Sequence, residues 1–167
     1  MKKALYILVL FVAAIILLLV VGKKSLYTEI TINAPAEAVW NEFSRFSEYP
    51  GWNPFIKKIS GDMKVGGKID ITIQPKGGNP MDFNPTVLIY KEKRMGQWEG
   101  KLFIPGIFTG RHTFMLVSLD KDKTRFIQKE DFNGILVPFI SLDATLEGFK
   151  EMNFLLKDFL HHAFFIG

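Results

Sequence analysis

Three polar side chains occur where strand alternation would turn them towards the inside of a fold. His112 keeps parity with Phe114 and Leu116, while Gln128 and Glu130 keep parity with Phe126. Successive strand residues face opposite sides, so His112 and Glu130 meet inside if the turn at 120–123 aligns their strands. A histidine and a carboxylate held together in an apolar cavity have the chemistry of a general acid–base pair. The plainer alternative is a satisfied polar pair in the wall. A one-residue slip of the hairpin would also turn one of the strands inside out.

Other chemistries are excluded by residue type or spacing. The chain has no cysteine, which removes disulfides, thiolate nucleophiles and cysteine-based zinc sites. His161 and His162 are adjacent, so on a helix they diverge by about 100° and cannot chelate one metal. The stretch at 61–68 is glycine-rich but lacks the Gly-Lys-Ser/Thr ending of a phosphate loop. No serine has the Gly-x-Ser-x-Gly setting of a hydrolase elbow. No cofactor and no metal is expected.

The elements that must position these residues begin with an apolar run. Residues 4–21 are uncharged and free of helix breakers, and as a helix they span roughly 27 Å, enough to cross a hydrocarbon core. The run is longer than the apolar part of a signal peptide, about 7–15 residues, and no Ala-x-Ala-like site precedes Lys23. An uncleaved single-pass anchor over residues 1–24 is therefore expected, with a domain over 25–167; cleavage would instead give a secreted domain. Lysines flank both ends, and the free amino terminus tips the orientation towards an extracytoplasmic domain. Removing Lys2, Lys3, Lys23 and Lys24 from the 21 basic residues leaves 17, equal to the 17 acidic ones. A neutral domain has no general attraction for phosphate backbones, so nucleic acid is not an expected partner.

Beyond the run, residues 26–33 alternate as a strand, and Pro35 opens a short helix ending near Phe46 that turns Val39, Trp40 and Phe43 to one side. Two prolines and a glycine between Ser47 and Phe55 forbid a long helix there. Strands are expected at 55–60, 68–74, 81–91, 96–103, 108–119 and 124–132, with Pro85 marking an edge or bulge. The connections are too short for crossover helices, so the sheet is antiparallel. A helix over 141–162 carries an apolar stripe of Leu142, Leu146, Phe149, Met152, Leu156, Phe159 and Ala163. Gly148 inside it costs about 1 kcal/mol relative to alanine and points to a close approach by a strand or ligand.

The motif Asn33-Ala-Pro-Ala-Glu-Ala-Val-Trp40, followed by Trp52-Asn-Pro-Phe55, resembles the opening of SRPBCC domains. The tail motifs Phe132-Asn-Gly-Ile-Leu-Val-Pro138 and Gly148-Phe-Lys-Glu-Met-Asn153 are similar to polyketide-cyclase-like bacterial members of that superfamily. The resemblance implies an α+β helix-grip fold, a curved seven-stranded antiparallel sheet wrapped around the long C-terminal helix, with a cavity between them. A curved sheet packed on one straight helix diverges at one end, which independently favours a cavity. Trp40, Phe43, Tyr49, Trp52 and Phe55 are expected near its mouth. Ile71, Ile73, Phe83, Trp98, Phe114, Leu116 and Phe126 are expected in its body, with Phe149, Met152 and Leu156 from the helix and His112 and Gln128 as polar members.

The resulting expectation is a membrane-tethered domain that binds a hydrophobic small molecule or lipid. The alternatives are a cyclase or dehydratase-like enzyme using His112 and Glu130, and an interaction module like the heat-shock ATPase activators of the superfamily. Phe164 and Phe165, near an unusually apolar end, are expected to pack on the domain or touch the bilayer.

Overall fold

The computed structural model describes residues 2–102 and 104–165, with side chains through His162. The expected strand end at Phe103 lies outside the described residues, as do the side chains of Ala163, Phe164 and Phe165. The apolar run forms helix α1 (Lys2–Val21), which has no buried residue and is long and apolar enough to cross a membrane. Gly22 alone separates it from strand β1 (Lys23–Ile32). A Cβ on Gly22 would stand 2.2 Å from the carbonyl oxygen of Gly134, so only glycine fits at this junction.

Pro35 precedes helix α2 (Ala36–Phe43), which buries Val39, Trp40 and Phe43 and stops three residues short of the expected end. A 3-10 turn (Phe46–Glu48) and the single turn α3 (Tyr49–Trp52) follow. Pro50 sits in the first turn of α3, where a missing N–H costs no helical hydrogen bond. Asn53 Oδ1 then accepts from the N–H groups of Phe55 (3.0 Å) and Ile56 (2.8 Å). That side-chain turn fixes the start of β2 (Ile56–Gly61) and the position of Phe55.

Six further strands follow: β3 (Ile69–Ile73), β4 (Met81–Phe83), β5 (Thr86–Lys91), β6 (Met95–Leu102), β7 (Phe108–Asp120) and β8 (Lys123–Asn133). All pairings are antiparallel. The expected single sheet of seven strands is instead a five-stranded sheet, β1-β8-β7-β6-β5, and a three-stranded sheet, β2-β3-β4. The expected strand at 81–91 divides at Asn84-Pro85 into β4 and β5. Proline supplies no N–H to a ladder, and Asn84 turns its amide to Asp70 Oδ1 (2.7 Å). The sheets still meet, because Val87 N–H donates to Gly67 O (2.9 Å) and Lys68 bridges Thr86. Together they form the open antiparallel surface of an α+β helix-grip fold.

Helix α4 (Asp143–Phe165) lies across that surface. Phe149, Met152, Leu156 and Leu160 are buried, whereas Phe159, expected on the buried stripe, is exposed. Eleven residues complete three helical turns, so the stripe from Phe149 drifts to Leu160. Phe43 joins the sheet to this core, with its ring 4.8 Å from Phe114 and 5.4 Å from Phe126. Tyr49 is fully buried and donates to Phe43 O (2.6 Å), and burial pushes its phenol well above the usual range.

Gly148 marks the closest approach of helix and sheet. The ring of Phe55 lies over it, and a Cβ there would stand 2.3 Å from Phe55 Cδ2. Gly148→Ala gains about 1 kcal/mol of helix propensity. Overpacking against the ring should outweigh that gain, for a net loss of about 1–2 kcal/mol in urea unfolding. Adding Phe55→Leu should return part of the loss.

Candidate functional site

The closed core occupies only one end of the space between sheet and helix. At the other end a cavity of about 400 Å³ remains. Its inner part is formed by buried side chains, Phe55, Ile56 and Ile71 on one side and Trp98 and His112 on the other. Ile73, Met81 and Phe83 extend one wall, and Phe108, Gly110, Glu130 and Phe132 extend the opposite one. Ile140, Ser141, Leu142, Ala144 and Thr145, from the approach to α4 and its first turn, cover it. Met81, Ser141 and Ala144 are exposed and mark where it opens.

Of the residues expected around the cavity, Phe55, Ile71, Ile73, Phe83, Trp98 and His112 line it. The others stand elsewhere. Trp40, Phe43 and Tyr49, expected near the mouth, are fully buried in the core, and Trp52 packs edge-on against Tyr49 at 5.1 Å. Phe114, Leu116 and Phe126 fill the core further along the strands, and Phe149, Met152 and Leu156 fill it from α4. Phe114, Leu116 and Phe126 face inward as expected, but their positions along β7 and β8 put them in the closed core.

Gln128 belongs to a polar clamp. Its Nε2 donates to Asn153 Oδ1 (2.6 Å) and Phe149 O (3.3 Å), and Asn153 Nδ2 donates to Thr28 Oγ1 (3.1 Å). The clamp ties β1, β8 and α4 together across a buried interface, where an unmet donor would cost about 1–3 kcal/mol.

His112 and Glu130 are directly opposite each other in the β7–β8 register, and both line the cavity. His112 Nδ1 lies 3.4 Å from Glu130 Oε2. The imidazole stacks on Phe114 at 4.2 Å and is flanked by Trp98 and Phe149. Its Nε2 is buried with no hydrogen-bond partner among the described residues. Gly110 makes room for the carboxylate, since a Cβ there would fall 2.7 Å from Glu130 Oε1. The arrangement therefore places an imidazole and a carboxylate side by side on the wall of a mainly apolar chamber.

Sequence reasoning missed Leu102 and Phe108, at the end of β6 and the start of β7, and Ile140 and Leu142 on the approach to α4. A signal for Phe108, Ile140 and Leu142 existed, because 104–108 and 134–142 hold no charged residue.

A sheet of this topology, gripping one long helix around an internal cavity, defines a helix-grip ligand-cavity domain. Residues 23–159 match the family described as "Polyketide cyclase / dehydrase and lipid transport", and the chain belongs to that family. No curated protein sequence matches it. Among solved structures it is similar to protein NE0264 from Nitrosomonas europaea, with a TM-score of 0.64, 17% identity and coverage of 83% of this chain and 95% of that one. It is also similar to major latex-like protein 151 from Panax ginseng, with a TM-score of 0.68, 11% identity and coverage of 83% and 97%. Norcoclaurine synthase from Thalictrum flavum gives a TM-score of 0.61 at 16% identity, covering 84% and 96%. At these identities the likeness is one of fold.

The clamp can be tested apart from the cavity. Gln128→Leu and Asn153→Leu should each cost about 1–3 kcal/mol in urea unfolding, and the double variant less than their sum, because it removes both partners of the Gln128–Asn153 bond together. Binding of an apolar probe in the cavity should survive in whichever variant remains folded.

Proposed function

We propose that this chain is a membrane-tethered binding domain that holds one hydrophobic small molecule or lipid in its cavity. The observation that carries this reading is the chamber itself. Its volume of about 400 Å³ falls within the roughly 300–1,000 Å³ of small-molecule sites. Its lining is mainly aliphatic and aromatic, with a few polar groups able to orient a head group. Burial of apolar surface would drive binding, at roughly 25 cal/mol per Å² removed from water. His112 and Glu130 on the wall would orient one polar group of the ligand. On this reading residues 1–24 are an uncleaved anchor, 25–167 the binding domain, and the domain lies on the extracytoplasmic side. The apolar surface of α1, on which no residue is buried, supports the anchor, because such a surface is stable in lipid and costly in water.

The His112–Glu130 pair favours a second reading, a cyclase or dehydratase-like enzyme. A carboxylate and an imidazole beside an apolar ligand can move a proton from one of its carbons to a departing hydroxyl. The structures known as norcoclaurine synthase and as the aromatase/cyclase di-domain StfQ of steffimycin biosynthesis share the fold. The latter has a TM-score of 0.65 at 7% identity, and this chain covers half (51%) of it.

Native mass spectrometry of the full chain in lipid nanodiscs, followed by organic extraction, tests the first reading. A co-purifying apolar molecule is expected in the wild type and should be lost in Ala144→Trp, whose side chain enters the cavity from α4. A folded but empty wild-type protein would count against the binding reading.

The same extraction separates carrier from dehydratase. A carrier should yield the same molecule from the wild type and from Glu130→Gln. A dehydratase should yield from Glu130→Gln a molecule heavier by the elements of water, the unreacted substrate.

A further inference from the structure

Two charge-free loops meet the end of α1. The β6–β7 loop at 104–108 reads Ile-Pro-Gly-Ile-Phe, and the approach to α4 at 134–142 reads Gly-Ile-Leu-Val-Pro-Phe-Ile-Ser-Leu. Loops normally run over the surface, where polar side chains predominate. Here Ile104 and Phe139 are 66% and 72% exposed, and Leu136 is exposed beside them.

Backbone hydrogen bonds join the two loops into one plate. Ile135 N–H donates to Gly106 O (3.0 Å) and Leu136 N–H to Ile107 O (3.2 Å). The plate is in turn fastened to the end of α1. Gly134 N–H donates to Gly22 O (2.9 Å), and Leu19 Cδ2 lies 3.7 Å from where a Cβ of Gly106 would be. Lys24 Nζ donates to Ile140 O (2.8 Å). Phe108, Ile140 and Leu142 from these segments line the cavity.

We propose that this plate rests in the surface of the lipid leaflet from which α1 emerges, and that the cavity exchanges its ligand with that bilayer across it. The proposal rests on the reading that α1 spans a membrane. Given that reading, connectivity fixes the depth. A span that ends at Val21 brings Gly22, and the plate bonded to it, to the edge of the hydrocarbon. Ile104, Leu136 and Phe139 then continue the apolar surface of α1 into the interface, as an interfacial apolar face does. Lys23 and Lys24 stand at the level where long cationic side chains reach the head groups. A ligand that partitions into lipid would reach the cavity past Phe108 and Ile140 without crossing bulk water.

The absence of native cysteine allows a direct test. Ile104→Cys and Phe139→Cys, each labelled with an environment-sensitive fluorophore, are reconstituted as full chains in vesicles of phosphatidylethanolamine and phosphatidylglycerol. Leu119→Cys is the control: it is exposed and apolar, but lies about 36 Å from Phe108 along β7 at about 3.3 Å per residue. The expected result is blue-shifted emission at 104 and 139, quenched by spin-labelled lipid several-fold more than at 119. Equal quenching at all three positions, in protein that floats with the vesicles, overturns the plate and leaves the anchor standing. Protein that fails to float with the vesicles overturns the anchor and the plate together.

Discussion

A straight helix can follow a curved sheet closely over only part of its length, and the contact between Gly148 and Phe55 sets where that closeness ends. Beyond it, towards Leu160, aromatic and aliphatic side chains from α2, β7, β8 and α4 fill the gap completely. Before it, the first turn of α4 stands away from the sheet and the cavity remains. Phe55 belongs to both regions, since one ring packs on the helix and also lines the chamber. Asn53 holds that ring in place from behind, by bonding the backbone of Phe55 and Ile56. The Trp-Asn-Pro-Phe motif therefore does structural work at the boundary between core and cavity.

The polar groups divide along the same boundary. On the core side, Gln128, Asn153 and Thr28 use their groups on one another, and the result is rigidity. On the cavity side, His112 and Glu130 stand together while the second imidazole nitrogen is unused. Hydrogen bonds across a buried interface stabilise a fold, while among the described residues Gln128 Oε1 on the core side and His112 Nε2 on the cavity side are both buried without a partner. His112 and Glu130 are the polar pair that the fold places on the wall of the chamber.

Much of this was legible in the sequence, and the failures share one cause. Period-two alternation gave the inward faces of β7 and β8 and brought His112 opposite Glu130. It could not tell how far along those strands the helix stays in contact. Phe114, Leu116 and Phe126 have the same parity as His112 and Glu130 but lie on the core side. Strand parity fixes a face, while helix tilt fixes the cut between core and cavity, and tilt depends on contacts as distant in sequence as Phe55 and Gly148. The division of β4 from β5 had a local signal, Pro85, whose missing N–H was read as an edge or a bulge and proved to be a break. The exposure of Phe159 came from the same kind of error as the cavity lining, a small angular drift accumulated over three helical turns.

Gly22 is the whole connection between α1 and β1. A flexible tether of n residues lets a domain range over roughly 5–6 Å times the square root of n, and here there is almost nothing to range with. With α1 in a bilayer, the domain would move as one body with its anchor, translating in two dimensions and turning only about the membrane normal. It would have no means of shuttling cargo across an aqueous gap on its own. Whatever receives or supplies that cargo would have to share the membrane plane, or come to it.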